Sequence, residues 1–220
     1  MKRMKSVMMK AAIASSITIG ATFAGVAEAQ VSFTNVDSTW SNSQCSSFFC
    51  NVDENVNILG FNSIQYGTTI DSVIGFRDDG PASAGFGEVF RIGTLGFFNT
   101  ADFTNILETA DLNLTLDFAS PNGLLAGLDF VANVSQNGLA PDSLDITPWF
   151  DSLVTTDAAG QKYKVSVGFA DVPIEVDFFQ TETREVFAKV ETIPEPALML
   201  GLGAVVAGLL AQKRSRKETA

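Results

Sequence analysis

Apolar and polar residues alternate one by one through LNLTLDF, with Leu112, Leu114, Leu116 and Phe118 on one side and Asn113, Thr115 and Asp117 on the other. The same period of two runs through YKVSVGF (Tyr163, Val165, Val167, Phe169) and PIEVDFF (Ile174, Val176, Phe178). Because successive side chains of a strand point to opposite faces, this period predicts strands with one face in a core and one in water. Weaker versions predict further strands at 31–36, 63–66, 72–76, 86–92, 128–134 and 184–190. Between them stand turn-forming stretches, RDDGPASAG, SPNG, QNGLAPDS and DAAG. Pro173 is placed to open a strand, and TADFTNILETA reads equally as a short helix or a loop. Many short strands with turn signals between them predict an all-β fold, an antiparallel β-sandwich or jelly-roll-like single domain.

The two ends break the pattern. MKRMKSVMMK carries Lys2, Arg3, Lys5 and Lys10; an apolar run follows, then small residues at Ala27 and Ala29. That order is a secretory signal peptide over 1–29, with cleavage after Ala29 by the secretion machinery. At the other end, Pro194 and Pro196 interrupt any strand arriving from the domain. The uncharged stretch from Ala197 to Ala211 comes next, and then Lys213, Arg214, Arg216 and Lys217. As a helix the stretch would be about 22 Å long at 1.5 Å per residue, short for a hydrocarbon core of about 30 Å. The long Lys213 and Arg214 side chains can make up part of the difference. Basic residues stay on the cytoplasmic side, so a transmembrane helix here leaves the preceding domain outside, as the signal peptide does.

Pro194-Glu195-Pro196, an apolar helix and a terminal basic cluster together resemble the PEP-CTERM sorting signal of Gram-negative bacteria, over 193–217. The resemblance implies an exosortase-type processing enzyme as partner. It also implies transient membrane insertion and delivery to the cell surface or to an exopolysaccharide matrix. A second resemblance lies in the domain itself. STWSN, FRIGTLGFFNT and LNLTLDF are similar to the choice-of-anchor K type of domain, with Phe98 where that pattern has a histidine. It implies a fold and no activity.

Charge changes the picture of partners. The segment 30–192 holds six basic residues (Arg77, Arg91, Lys162, Lys164, Arg184, Lys189) against 22 acidic ones, a net of −16. Nucleic acid and anionic membrane surfaces both call for positive charge, so neither is an expected partner. Cys45 and Cys50 are the two cysteines. In an exported chain an even count reads as a disulfide, here a small loop contributing about 2 kcal/mol. A CxxxxC metal site lacks further ligands, since the chain has no histidine.

The absence of histidine also removes Ser-His-Asp and Cys-His catalysis. What remains for an enzyme is a glycosidase-like carboxylate pair drawn from Glu88, Glu108, Asp129 and Glu175. Asp78 and Asp79 in RDDGPAS are the candidate Ca²⁺ ligands, without the spacing of a calcium loop. The phenylalanines fall mostly on core positions, whereas Trp40 (DSTWSN) and Trp149 (ITPWFD) sit among turn residues and are the candidate glycan contacts. The expectation is a non-catalytic exported surface or matrix protein without a cofactor. The rivals are a lectin-like carbohydrate-binding module and, behind it, the glycosidase-like enzyme.

Overall fold

A computed structural model describes residues 30–45, 51–67, 72–100, 107–135, 141–177 and 179–194. The signal-peptide residues, Cys50, Phe178 and the tail from Glu195 onward, with its apolar segment and basic cluster, lie outside the described residues. Among the described residues there is no helix long and apolar enough to cross a membrane.

Thirteen strands are described. They are β1 (Gln30–Cys45), β2 (Asn51–Ile58), β3 (Phe61–Gly67), β4 (Ser72–Asp78), β5 (Ala82–Gly85), β6 (Val89–Phe98), β7 (Leu107–Ser120), β8 (Leu125–Ser135), β9 (Asp142–Thr147), β10 (Phe150–Thr156), β11 (Lys162–Phe169), β12 (Ile174–Val176) and β13 (Thr181–Thr192). They form two antiparallel sheets, a six-stranded one ordered β12-β9-β8-β7-β1-β5 and a seven-stranded one ordered β10-β11-β13-β6-β4-β3-β2. The sheets share one apolar core, as a β-sandwich requires.

The alternation read from the sequence carries through to burial. Leu112, Leu114, Leu116 and Phe118 of β7 all face the core, as do Val165, Val167 and Phe169 of β11. Burying each such side chain is worth about 1.5–3 kcal/mol. Aromatic pairs bridge the two sheets. Phe130 of β8 meets Phe169 of β11 edge-on at 4.9 Å, and Phe33 of β1 lies 5.6 Å from Phe90 of β6.

Several elements differ from the expectation. β1 runs on through DSTWSNSQ, whose turn-like residues form a strand because β7 supplies ladder partners from Asp37 to Ser41 and again at Gln44. Asn51–Ile58, Asp142–Thr147 and Phe150–Thr156 are strands that polar side chains disguise, all in or next to sheet edges where one face stays wet. Ala82–Gly85, expected within a turn, pairs with the start of β1. TADFTNILETA resolves in part: its last four residues, from Leu107, open β7.

Both described ends leave the sandwich at the same end. Gln30 pairs with Gly85, the Gly87 N–H donates to Val190 O at 2.8 Å, and the Ile193 N–H donates to Lys162 O at 2.9 Å.

Candidate functional site

The outer face of the seven-stranded sheet carries a trough of about 410 Å³. Its origin is a register that aligns small residues across neighbouring strands. Gly75 of β4 pairs with Ser63 of β3 on one side and with Gly96 of β6 on the other. Large residues flank this row. Val73 and Phe98 stand on one side and Phe61 on the other, with Leu59 and Ile58 of the β2–β3 hairpin closing the edge. A groove bounded by rows of large side chains and floored by glycine is the outcome.

The glycines are required by what lies on them. A Cβ at Gly75 would stand 2.3 Å from Ser63 Oγ and 2.8 Å from Phe61 Cβ. At Gly96 it would meet the Phe61 ring at 3.0 Å. Phe61 therefore lies down across the glycine floor, and the Arg77 guanidinium sits 4.8 Å above its ring, a cation–π contact. Ser63, fully buried, donates its hydroxyl to Phe61 O at 3.2 Å. Beyond the trough the same face turns polar. Arg91 holds Asp79 and, at 3.1 Å, Glu185, and donates to Thr94 Oγ1 at 2.7 Å.

Among the described residues none that lines the trough ionises; their polar groups are Ser63, Gln65 and Thr181. The volume falls within the range of small-ligand sites, which are mostly apolar with a few polar groups. Such a lining can hold a flat or narrow apolar face.

The residues picked out from sequence do not converge on it. Trp40 is completely buried, which corrects its assignment as a glycan contact: a ring without exposed face cannot stack on a sugar. Its N–H donates to Asn62 O at 2.8 Å. Trp149 is exposed, at 46 %, and lies 6.0 Å from the Phe150 ring, at the β10 edge, across the sheet from the trough. Cys45 is disulfide-bonded, and the chain's other cysteine is Cys50. Pro194 is exposed just beyond β13.

The candidate carboxylates are spread over separate elements. Glu88 accepts the Gly85 N–H at 2.8 Å, and Asp129 accepts the Asn113 side-chain amide at 2.7 Å. Glu108 lies on β7 and Glu175 on the short edge strand β12; none of the four lines the trough. The RDDGPAS loop is likewise occupied with itself. Asp78 accepts the Gly80 N–H at 2.9 Å, and Asp79 is spent on Arg91. Among the described residues no three His, Cys, Asp or Glu side chains are grouped to hold a metal.

One sequence signal points to the trough: Ile74-Gly75-Phe76 recurs as Leu95-Gly96-Phe97. In each triplet the flanking residues enter the core and the glycine faces out. Fold and trough together define an all-β sandwich with a contact-type concavity on one outer face. No family model and no curated protein sequence matches this chain.

Proposed function

We propose that this is a non-catalytic exported protein of the cell surface or exopolysaccharide matrix. A signal peptide over 1–29 exports it, and an exosortase-type enzyme releases it from a membrane-anchored intermediate at the inner membrane. We read its sandwich as jelly-roll-like. The observation that carries the proposal is where the described fold stops. The last strand ends at Thr192, two residues before Pro194, so removal of the tail leaves every described strand intact. The ends also emerge side by side, so a membrane anchor at the C-terminus leaves the far end of the sandwich free. β6 runs toward that far end from Val89 to Phe98, which carries the outer wall of the trough away from the anchor.

The test is to follow a chain tagged beyond Ala220 in a host that carries an exosortase. Surface material lacking the tag, and a tagged intermediate in the inner membrane when exosortase is deleted, are expected. A tag that persists on the surface protein overturns tail removal.

The trough favours a second reading, a lectin-like module binding extracellular polysaccharide. The apolar face of a sugar ring would stack on Phe98, with Gln65 and Thr181 at the rim. A glycan screen of the 30–194 segment, with and without Ca²⁺, tests it; binding that survives Phe98→Ala sinks this site.

A further inference from the structure

At the end of the sandwich toward which β6 runs, the apolar core closes on a polar layer. Strand register sets this layer out. Tyr66 of β3 pairs with Ser72 of β4. Asn99 follows directly on the last β4–β6 pair, Val73↔Phe98, which brings it opposite Ser72. Each of the three stands two residues from a core position (Ile64, Ile74 and Phe97), so their side chains point inward. The six-stranded sheet answers with Asp142 of β9, two residues before the core residue Leu144 and paired with Val176 of β12. Asp142 is 3 % exposed and Asn99 1 %.

Contacts tie the layer into a circuit across both sheets. The Tyr66 hydroxyl hydrogen-bonds Ser72. Ser72 Oγ accepts the Thr100 N–H at 3.0 Å and lies 2.9 Å from Thr100 Oγ1. Asn99 crosses to the other sheet, its Nδ2 donating at 3.1 Å to the carbonyl of Val176, the residue opposite Asp142. Burial, and then the Asp142 charge, keep the Tyr66 phenol neutral, which returns the circuit to its start. One atom is left over. Asn99 Oδ1 is buried and has no hydrogen-bond partner among the described residues. A buried acceptor in that condition calls for a donor or a cation.

We propose that this layer is a calcium site, with the Asp142 carboxylate and Asn99 Oδ1 as its principal ligands and the Ser72 and Thr100 hydroxyls beside them. The donor set is all oxygen, one charged and the rest neutral, which is the chemistry of a hard cation. Ca²⁺ takes roughly six to eight oxygens in flexible geometry, with water completing the shell, whereas Mg²⁺ demands a near-ideal octahedron and gives up its water reluctantly. Oxygens held in place by strand register inside a sandwich therefore favour the larger ion. The site differs in kind from a cluster of carboxylates, because a single acid is joined to an amide oxygen that lacks a partner. It also lies behind the trough. Ser72 precedes Val73 and Asn99 follows Phe98, the large residues on one side of the groove, so an ion held there would brace that wall from the inner face of the sheet.

Calorimetric titration of the chelator-treated full chain with CaCl₂ tests the site, with MgCl₂ at matched ionic strength as the comparison and thermal unfolding as a second readout. The expected result is one Ca²⁺ per chain, saturating on the order of 1 mM as in other extracellular modules. A rise in unfolding temperature that Mg²⁺ does not reproduce should accompany it. Asp142→Asn and Asn99→Leu should each weaken Ca²⁺ binding by about tenfold or more, while Asp79→Asn in the RDDGPAS loop leaves it in place. Asn99→Asp adds a second carboxylate. It should bind Ca²⁺ about tenfold more tightly and be less stable than the unsubstituted chain in chelator, a loss that Ca²⁺ reverses. That variant decides if Asp142→Asn fails to fold. No Ca²⁺ binding, an equal response to Mg²⁺, binding lost with Asp79→Asn, or binding indifferent to the changes at Asn99 and Asp142 overturns the proposal.

Discussion

The indole N–H of Trp40 donates to the main-chain carbonyl of Asn62 at 2.8 Å, from β1 in one sheet to β3 in the other. The connection is doubled at the backbone. Asn55 accepts the Trp40 N–H at 2.8 Å and donates to Trp40 O at 2.9 Å, and Asn62 donates its side-chain amide to Ser38 O. A residue among turn-formers thus ties the layers together. Trp40→Ala should cost about 3–5 kcal/mol of stability through cavity and lost contacts. Trp40→Phe fills much of the space and strands the Asn62 carbonyl, so it should cost less. Urea unfolding of both variants checks the order.

Emission separates the two tryptophans. Trp149 should account for the part of the fluorescence that acrylamide quenches, and Trp149→Phe should leave a blue-shifted, protected signal from Trp40 alone. Easy quenching of that remaining signal would contradict the buried position.

Both tyrosines are held neutral. Burial, then the nearby Asp142 charge, raises the Tyr66 pKa well above the ordinary 10.0; burial, then Asp157, raises Tyr163 in the same direction. Above pH 10 the unfolded chain gains by releasing protons that the folded chain keeps. Stability is therefore complete below that pH and declines as pH rises beyond it. Tyrosinate absorbance should appear together with unfolding rather than before it. Tyr66→Phe should flatten the decline, measured as urea midpoints at pH 9 and at higher pH.

The trough floor admits no side chain. Gly75→Ala forces its Cβ into Ser63 Oγ, and overpacking of this kind costs about 1–3 kcal/mol. Adding Ser63→Gly removes that collision and should recover part of the loss, which a double-mutant cycle reads directly.

Reduction is the mildest perturbation. Cys45→Ser opens a small loop and should lower stability by about 2 kcal/mol, with the same change on adding reductant to the unsubstituted protein.

Strands with strict alternation were legible in the sequence because facing is a local property: β7 and β11 announce their core sides residue by residue. The end of β13 at Thr192 was legible for a similar reason, since the prolines at 194 and 196 break a pattern where they stand. The polar strands were not. β2 and β10 lie on edges, where half the side chains and half the backbone stay wet, and their composition resembles loop. Trp40 misled because its neighbours are hydrophilic while its partners, Asn55 and Asn62, arrive from another sheet.

By itself, then, the chain's sequence determined an all-β domain, its core faces and the distinct character of its two ends, all set by neighbours along the chain. The tertiary structure alone decided that Gly75 lies beside Gly96, that Trp40 faces inward and Trp149 outward, and that β10 ends a sheet. Those depend on register and strand order, which are fixed by pairing between residues remote in sequence, and no local period encodes them.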